Sequence, residues 1–188
     1  QLAGEEYVVL HKNRGTQVAP MTHKSLRAFF MAAPMIYAAV SRLAAEHATP
    51  VQIMRLKDTQ TLFRAAIRDG DVAERAMMNQ RFHAVIGEMA DNEYLSPSLR
   101  RLLIDHTRIA MTFYSPQTES LASQRRIAAD QHDQFIELIE RRDADAAAAL
   151  AVAHWELSRA EIERFVIPAG MQIPLGQAPA ALNTRGSA

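Results

Sequence analysis

Three histidines fall at the centres of three apolar helical stripes, and an asparagine precedes the first of them by one turn. In "AMMNQRFHAVIGEMA", residues 76 to 90, about 100° per residue puts Asn79 and His83 on one inward stripe with Val72, Ala76, Phe82, Ile86 and Ala90. His132 is centred in the same way among Ala128, Ala129, Phe135, Ile136 and Ile139, and His154 among Ala147, Leu150, Ala151 and Leu157. Leaving such groups buried without partners costs on the order of 1 to 3 kcal/mol each, so several in one core call for a shared partner. Neutral imidazole is the commonest metal ligand, and an oxygen one helical turn away can reach the same ion. Bundles build such sites from facing helices.

Any one of these histidines, taken alone, also reads as a core residue satisfied by one or two hydrogen bonds. His106 lies on a stripe with Leu99, Leu102, Leu103, Ala110 and Phe113 and is read as a pocket or core residue. His47 at a helix end suits the helix dipole, and His11 and His23 belong in or near a hairpin. Arg75 lies one turn before Asn79 and Arg125 two turns before His132. Either could hold a carboxylate in a pocket beside the histidines, or snorkel to the end of the bundle.

The elements that must carry these residues are helical. Alanine-rich segments with three- and four-residue apolar spacing predict six helices between Thr22 and about Val166, an antiparallel all-α bundle. The first is expected over about His23 to Ala48, interrupted or kinked at Pro34. The second follows Thr49 as N-cap with Pro50 at its first position and ends at "RDG". The third runs from Asp71 to about Asp91, the fourth from about Ser96 to Tyr114, the fifth from about Leu121 to Arg142 and the sixth from about Asp143 to Val166. "SPQTES" reads as a loop. Ahead of them, "EEYVVLHKNRGTQVAP" predicts a β-hairpin with Lys12 and Arg14 near its tip. A lone hairpin is marginal in water, so it should lean on a neighbour or be the end of something larger. Three regions result: 1–21 hairpin and linker, 22–167 helical domain, and 168–188 a Pro-, Gly- and Ala-rich tail expected to be flexible.

Composition narrows the partners. The 188 residues suit one main core, and 21 basic against 21 acidic residues leave no net charge to recruit nucleic acid or an anionic membrane. With no cysteine there are no disulfides, thiolate metal sites or thiol catalysis. No apolar run approaches the roughly 18 residues of a membrane span, and the start lacks a signal-peptide pattern, so a soluble, cytoplasmic protein without a membrane partner is expected.

"NQRFHAVIGEMADNEYL" and "QHDQFIELIERRDADAAAALAVAH" together resemble the FCD domain, the FadR-type C-terminal ligand-binding domain of GntR-family bacterial transcription regulators. The resemblance covers about residues 22 to 166. It implies a non-enzyme: an effector-sensing domain, working as a homodimer, that binds a divalent metal and a small carboxylate metabolite to control operator DNA binding. It implies metal ligands at Asn79, His83, His132 and His154, with zinc first and nickel, cobalt or manganese as alternatives. Arg75, Arg125 and His106 become the effector-contacting residues. "YVVLHKNRGTQVAP" resembles the wing of a winged helix-turn-helix whose preceding helices are not in this sequence, which makes Lys12 and Arg14 phosphate contacts. Two positions depart from the pattern. Asn79 stands where many members have aspartate, and "AAPMIY" stands where an "R...E" pattern is common, so an arginine contact to the effector is not expected from that stretch of the helix.

Two other classes compete. A metal-dependent hydrolase could use the same three histidines, with Glu161 as the nearest carboxylate to suspect as general base. A plain helical interaction module could bury histidines without any ion.

Overall fold

The computed structural model describes the backbone of residues 8–11, 15–18, 22–113 and 119–166, and the side chains of 22–109 and 122–159. Lys12 and Arg14, the 115–118 part of "SPQTES", the 168–188 tail and the side chain of Glu161 lie outside the described residues. Strands β1 (Val8–His11) and β2 (Gly15–Val18) pair antiparallel, with Val8 opposite Val18 and His11 opposite Gly15. Six helices follow: α1 (His23–His47), α2 (Pro50–Asp69), α3 (Val72–Ala90), α4 (Leu95–Phe113), α5 (Glu119–Glu140) and α6 (Ala144–Val166).

Local chemistry sets the helix ends. Thr49 and Gln52 form a reciprocal capping box at the start of α2, where Pro50 needs no amide hydrogen. Asp71 accepts from the Glu74 amide and starts α3. Between them, Gly70 closes α2 with φ 73°, a left-handed turn that a residue with a Cβ adopts at a cost.

Two expectations about α1 need correction. The helix runs from His23 to His47 with Pro34 inside it, so the interruption expected there does not occur. Packing explains this: Phe30, Ala33, Tyr37 and Val40, on both sides of the proline, are buried against α3, α4 and α6, which outweighs the roughly 3 kcal/mol cost of an interior proline. In addition, α1 is long and apolar enough to cross a membrane by length and composition, although its flanking charges break the uninterrupted run. Its buried face is part of the main core of the bundle, with Phe29, Phe30 and Tyr37 against Trp155 of α6.

The α5–α6 turn is tied to the far end of α1. Arg142 adopts a left-handed conformation (φ 60°), and its guanidinium donates to the carbonyls of Ala45 (3.2 Å), Glu46 (3.0 Å) and Ala48 (2.5 Å). These are carbonyls that the end of α1 leaves without helical partners, and a cation there also suits the dipole. Arg142→Ala is expected to lower unfolding free energy by about 1 to 3 kcal/mol in urea titrations, with Arg142→Lys recovering only part of the loss. Equal stability of the alanine variant would show that this cap contributes nothing.

Candidate metal centre

His83 of α3, His132 of α5 and His154 of α6 converge in the interior. One ligand nitrogen from each lies within 4.8 Å of the others, and all three residues are buried. Their ring centroids are 5.0 to 5.2 Å apart. A tetrahedral ion with nitrogens at about 2.0–2.1 Å needs ligand atoms roughly 3.3 Å apart, so small ring rotations would close the set. Aromatic walls hold the rings: Phe82 stacks on His132 at 3.9 Å and 6°, and Phe63 lies 4.7 Å from the same imidazole.

The hydrogen bonds decide which nitrogens are available. His132 Nδ1 lies 3.1 Å from Gln60 Oε1, and His154 Nδ1 lies 2.8 Å from Gln131 Oε1. An amide oxygen accepts only, so each Nδ1 carries the proton and each Nε2 keeps its lone pair. The Nε2 atoms of His83 and His132 are buried without a hydrogen-bond partner. Orphaned imidazole nitrogens converging in an apolar interior are what a cation site requires of its donors. Burial also keeps the rings neutral. Desolvation, followed by repulsion from neighbouring histidines, holds His83 and His132 well below the ordinary histidine value. Desolvation pushes His154 down to about 3 and His106 down to about 4.

The other residues singled out by sequence lie beside this cluster. Arg75, Asn79, His106 and Arg125 line one cavity, together with Gln124 and Ser158, with about 100 Å³ open to the centres of water molecules. Among the described residues its lining holds two guanidinium groups and no carboxylate, and Phe63, Ala128 and Leu157 give it an apolar wall. Asn79 is half-buried there. His106 does not join the three-histidine cluster. Its Nδ1 lies 3.3 Å from the Tyr37 hydroxyl, and it lines both this cavity and a smaller one bounded by Tyr37, Ser41, His83, His154 and Trp155. It thus stands between the arginine-lined cavity and the smaller space beside the histidines. His47 donates from Nδ1 to the Ala90 carbonyl at the end of α3, a helix-end contact.

Sequence reasoning missed Gln60, Gln131 and Tyr37. Gln60 carried a usable signal, because it is a buried amide between Leu56 and Phe63 on the inner face of α2. Gln131 carried none: it adjoins His132 and is only half-buried, so periodicity places it away from the core.

The FCD domain family matches residues 32–157, two thirds of the sequence and the whole span of the cluster. The chain belongs to the FCD domain family. Among solved structures, E. coli McbR/YncC aligns with a TM-score of 0.75 at 13% identity, covering 87% of this chain and 80% of its own. A structure described by the statement that Lar controls expression of the Listeria monocytogenes agr system and mediates virulence gives 0.63 at 15% identity, covering 87% and 75%. Streptococcus agalactiae GntR gives 0.57 at 15% identity, covering 84% and 77%. At these identities the likeness is one of fold. No curated protein matches by sequence.

The lowered histidines in this FCD domain make stability depend on pH. Their folded values lie below the ordinary 6.5, so protons bind the unfolded chain preferentially. Stability is therefore complete above about pH 6.5 and is lost as pH falls toward 4 and then 3. Melting temperature, followed in chelator from about pH 7.5 to about pH 4, is expected to fall through that window. A flat or rising profile would contradict the burial of neutral imidazoles.

Proposed function

We propose that this chain is the effector-sensing part of a GntR-family transcription regulator, working in the cytoplasm as a homodimer. In this reading His83, His132, His154 and Asn79 hold a divalent transition ion, with zinc as the first choice and nickel, cobalt or manganese as alternatives. A small carboxylate metabolite binds beside it. The β1–β2 pair is the wing of a winged helix-turn-helix that contacts operator DNA, with Lys12 and Arg14 at phosphates. The observation that carries the proposal is the meeting of three buried, neutral imidazoles next to a cavity lined by Asn79, Arg75 and Arg125.

Each group has a stated task. The ion supplies concentrated positive charge and open coordination positions for a carboxylate oxygen. Three neutral histidines and an uncharged amide leave that charge undiminished, whereas aspartate in place of Asn79 would cancel about one unit of it. Arg75 and Arg125 add donors for the anion's remaining oxygens, and His106 bounds the pocket on the side of Tyr37.

Binding becomes a signal through the helices that carry these residues. The ligands come from α3, α5 and α6, and α1 packs against all three. Four residues of chain separate the end of β2 from the start of α1. A ligand that favours one packing of α3, α5 and α6 therefore biases the setting of α1 and of the DNA-binding module joined to it.

His132→Ala or His154→Ala is expected to remove most bound zinc, measured by elemental analysis, and to abolish the rise in melting temperature caused by a panel of small carboxylates. Retention of both would remove these residues from the site. Asn79→Asp is expected to bind zinc more tightly, roughly tenfold or more, and to weaken the carboxylate shift. Stronger carboxylate binding by that variant would show that charge on the ion does not govern the anion.

A further inference from the structure

Gln60 is nearly fully buried, yet every polar atom of its amide has a partner. Its nitrogen donates to the Ala129 carbonyl at 2.7 Å and to Asp133 Oδ1 at 2.8 Å, and its oxygen faces His132 Nδ1 at 3.1 Å. These contacts allow only one orientation of the amide. Turned over, its oxygen would face a carbonyl and a carboxylate, two acceptors that cannot donate to it. Asp133 is held in turn by Arg64, which also bridges to Asp130 at 2.8 Å. The chain Arg64–Asp133–Gln60–His132 therefore runs from the α2–α5 surface to the centre of the cluster, and each link has a fixed donor and acceptor.

We propose that Gln60 is the positioning residue of the cluster: its amide carbonyl fixes His132 as the Nδ1–H tautomer, which leaves Nε2 as the donor offered to a cation shared with His83 and His154. The proposal rests on the metal-binding reading for its consequence, but the tautomer itself is a property of the metal-free chain. Outer partners of metal-binding histidines commonly set the tautomer and ring orientation, and their loss costs about 10- to 100-fold in metal affinity. Here the partner is an amide and not a carboxylate, so it orients the ring without adding negative charge near the ion. Gln60 does this from α2, a helix that supplies none of the three histidines, and so ties α2 to the centre.

The test uses the whole 188-residue chain, 15N-labelled at histidine and freed of metal with chelator. Long-range proton–nitrogen correlation spectra are expected to show His132 protonated at Nδ1 alone. Gln60→Leu should mix the two tautomers at His132, leave His83 unchanged, and weaken zinc binding about 10- to 100-fold. If Gln60→Leu does not fold, Asp133→Ala, at a half-exposed site, should loosen the amide and give a smaller loss in the same direction. An Nε2–H tautomer in the unaltered chain, or unchanged zinc affinity and tautomer in both Gln60→Leu and Asp133→Ala, would overturn the proposal. A chain that takes up no zinc, yet shows His132 set by Gln60, supports the positioning role and refutes the metal reading instead.

Discussion

The constraint on which the bundle depends is the burial of three uncharged imidazoles, two of them with an Nε2 that meets no partner. Desolvation keeps His83, His132 and His154 neutral, and a neutral imidazole keeps a lone pair that a cation could use. The orphaned Nε2 atoms of His83 and His132 each carry a penalty on the order of 1 to 3 kcal/mol while unpaired. A shared ion would recover that energy and join α3, α5 and α6 at one point. The surrounding arrangement serves the same end: Phe82 and Phe63 wall in His132, Gln60 and Gln131 settle the Nδ1 protons, and Tyr37 closes the side toward α1.

The two cavities make this centre chemically asymmetric. On one side, Arg75, Asn79 and Arg125 face a space with room for a small anion. On the other, Tyr37, Ser41 and Trp155 enclose a space of about 10 Å³, close to what a single water needs. His106 borders both. Tyr37, in the stretch "AAPMIY", brings an aromatic ring 5.6 Å from His83. The guanidinium groups that line the larger cavity, Arg75 and Arg125, come from α3 and α5.

Much of this was legible in the sequence because it depended on local rules. The Thr49–Pro50–Gln52 start of α2, the Gly70 stop and the Asp71 cap are short-range signals, and each helix expected from them is present within about two residues. The three histidines were legible because three separate stripes pointed inward, and geometry then brought them together. Pro34 misled because the cost of an interior proline is local, whereas the packing that holds α1 continuous is tertiary. His106 stood on an apolar stripe as good as the others, yet it ends one cavity away, since a wheel gives direction but not depth along the axis. Gln60 lies on a helix with no histidine in the cluster, so only the folded arrangement of α2 against α5 gives it a role.

The central claim, a cation held by histidines of three helices, is tested most directly by X-ray absorption at the zinc edge of the loaded chain. The account predicts three imidazole nitrogens at about 2.0–2.1 Å, with the remaining positions filled by oxygen. A spectrum with only oxygen neighbours, unchanged when His132 is replaced by alanine, would place the ion at the surface and contradict it.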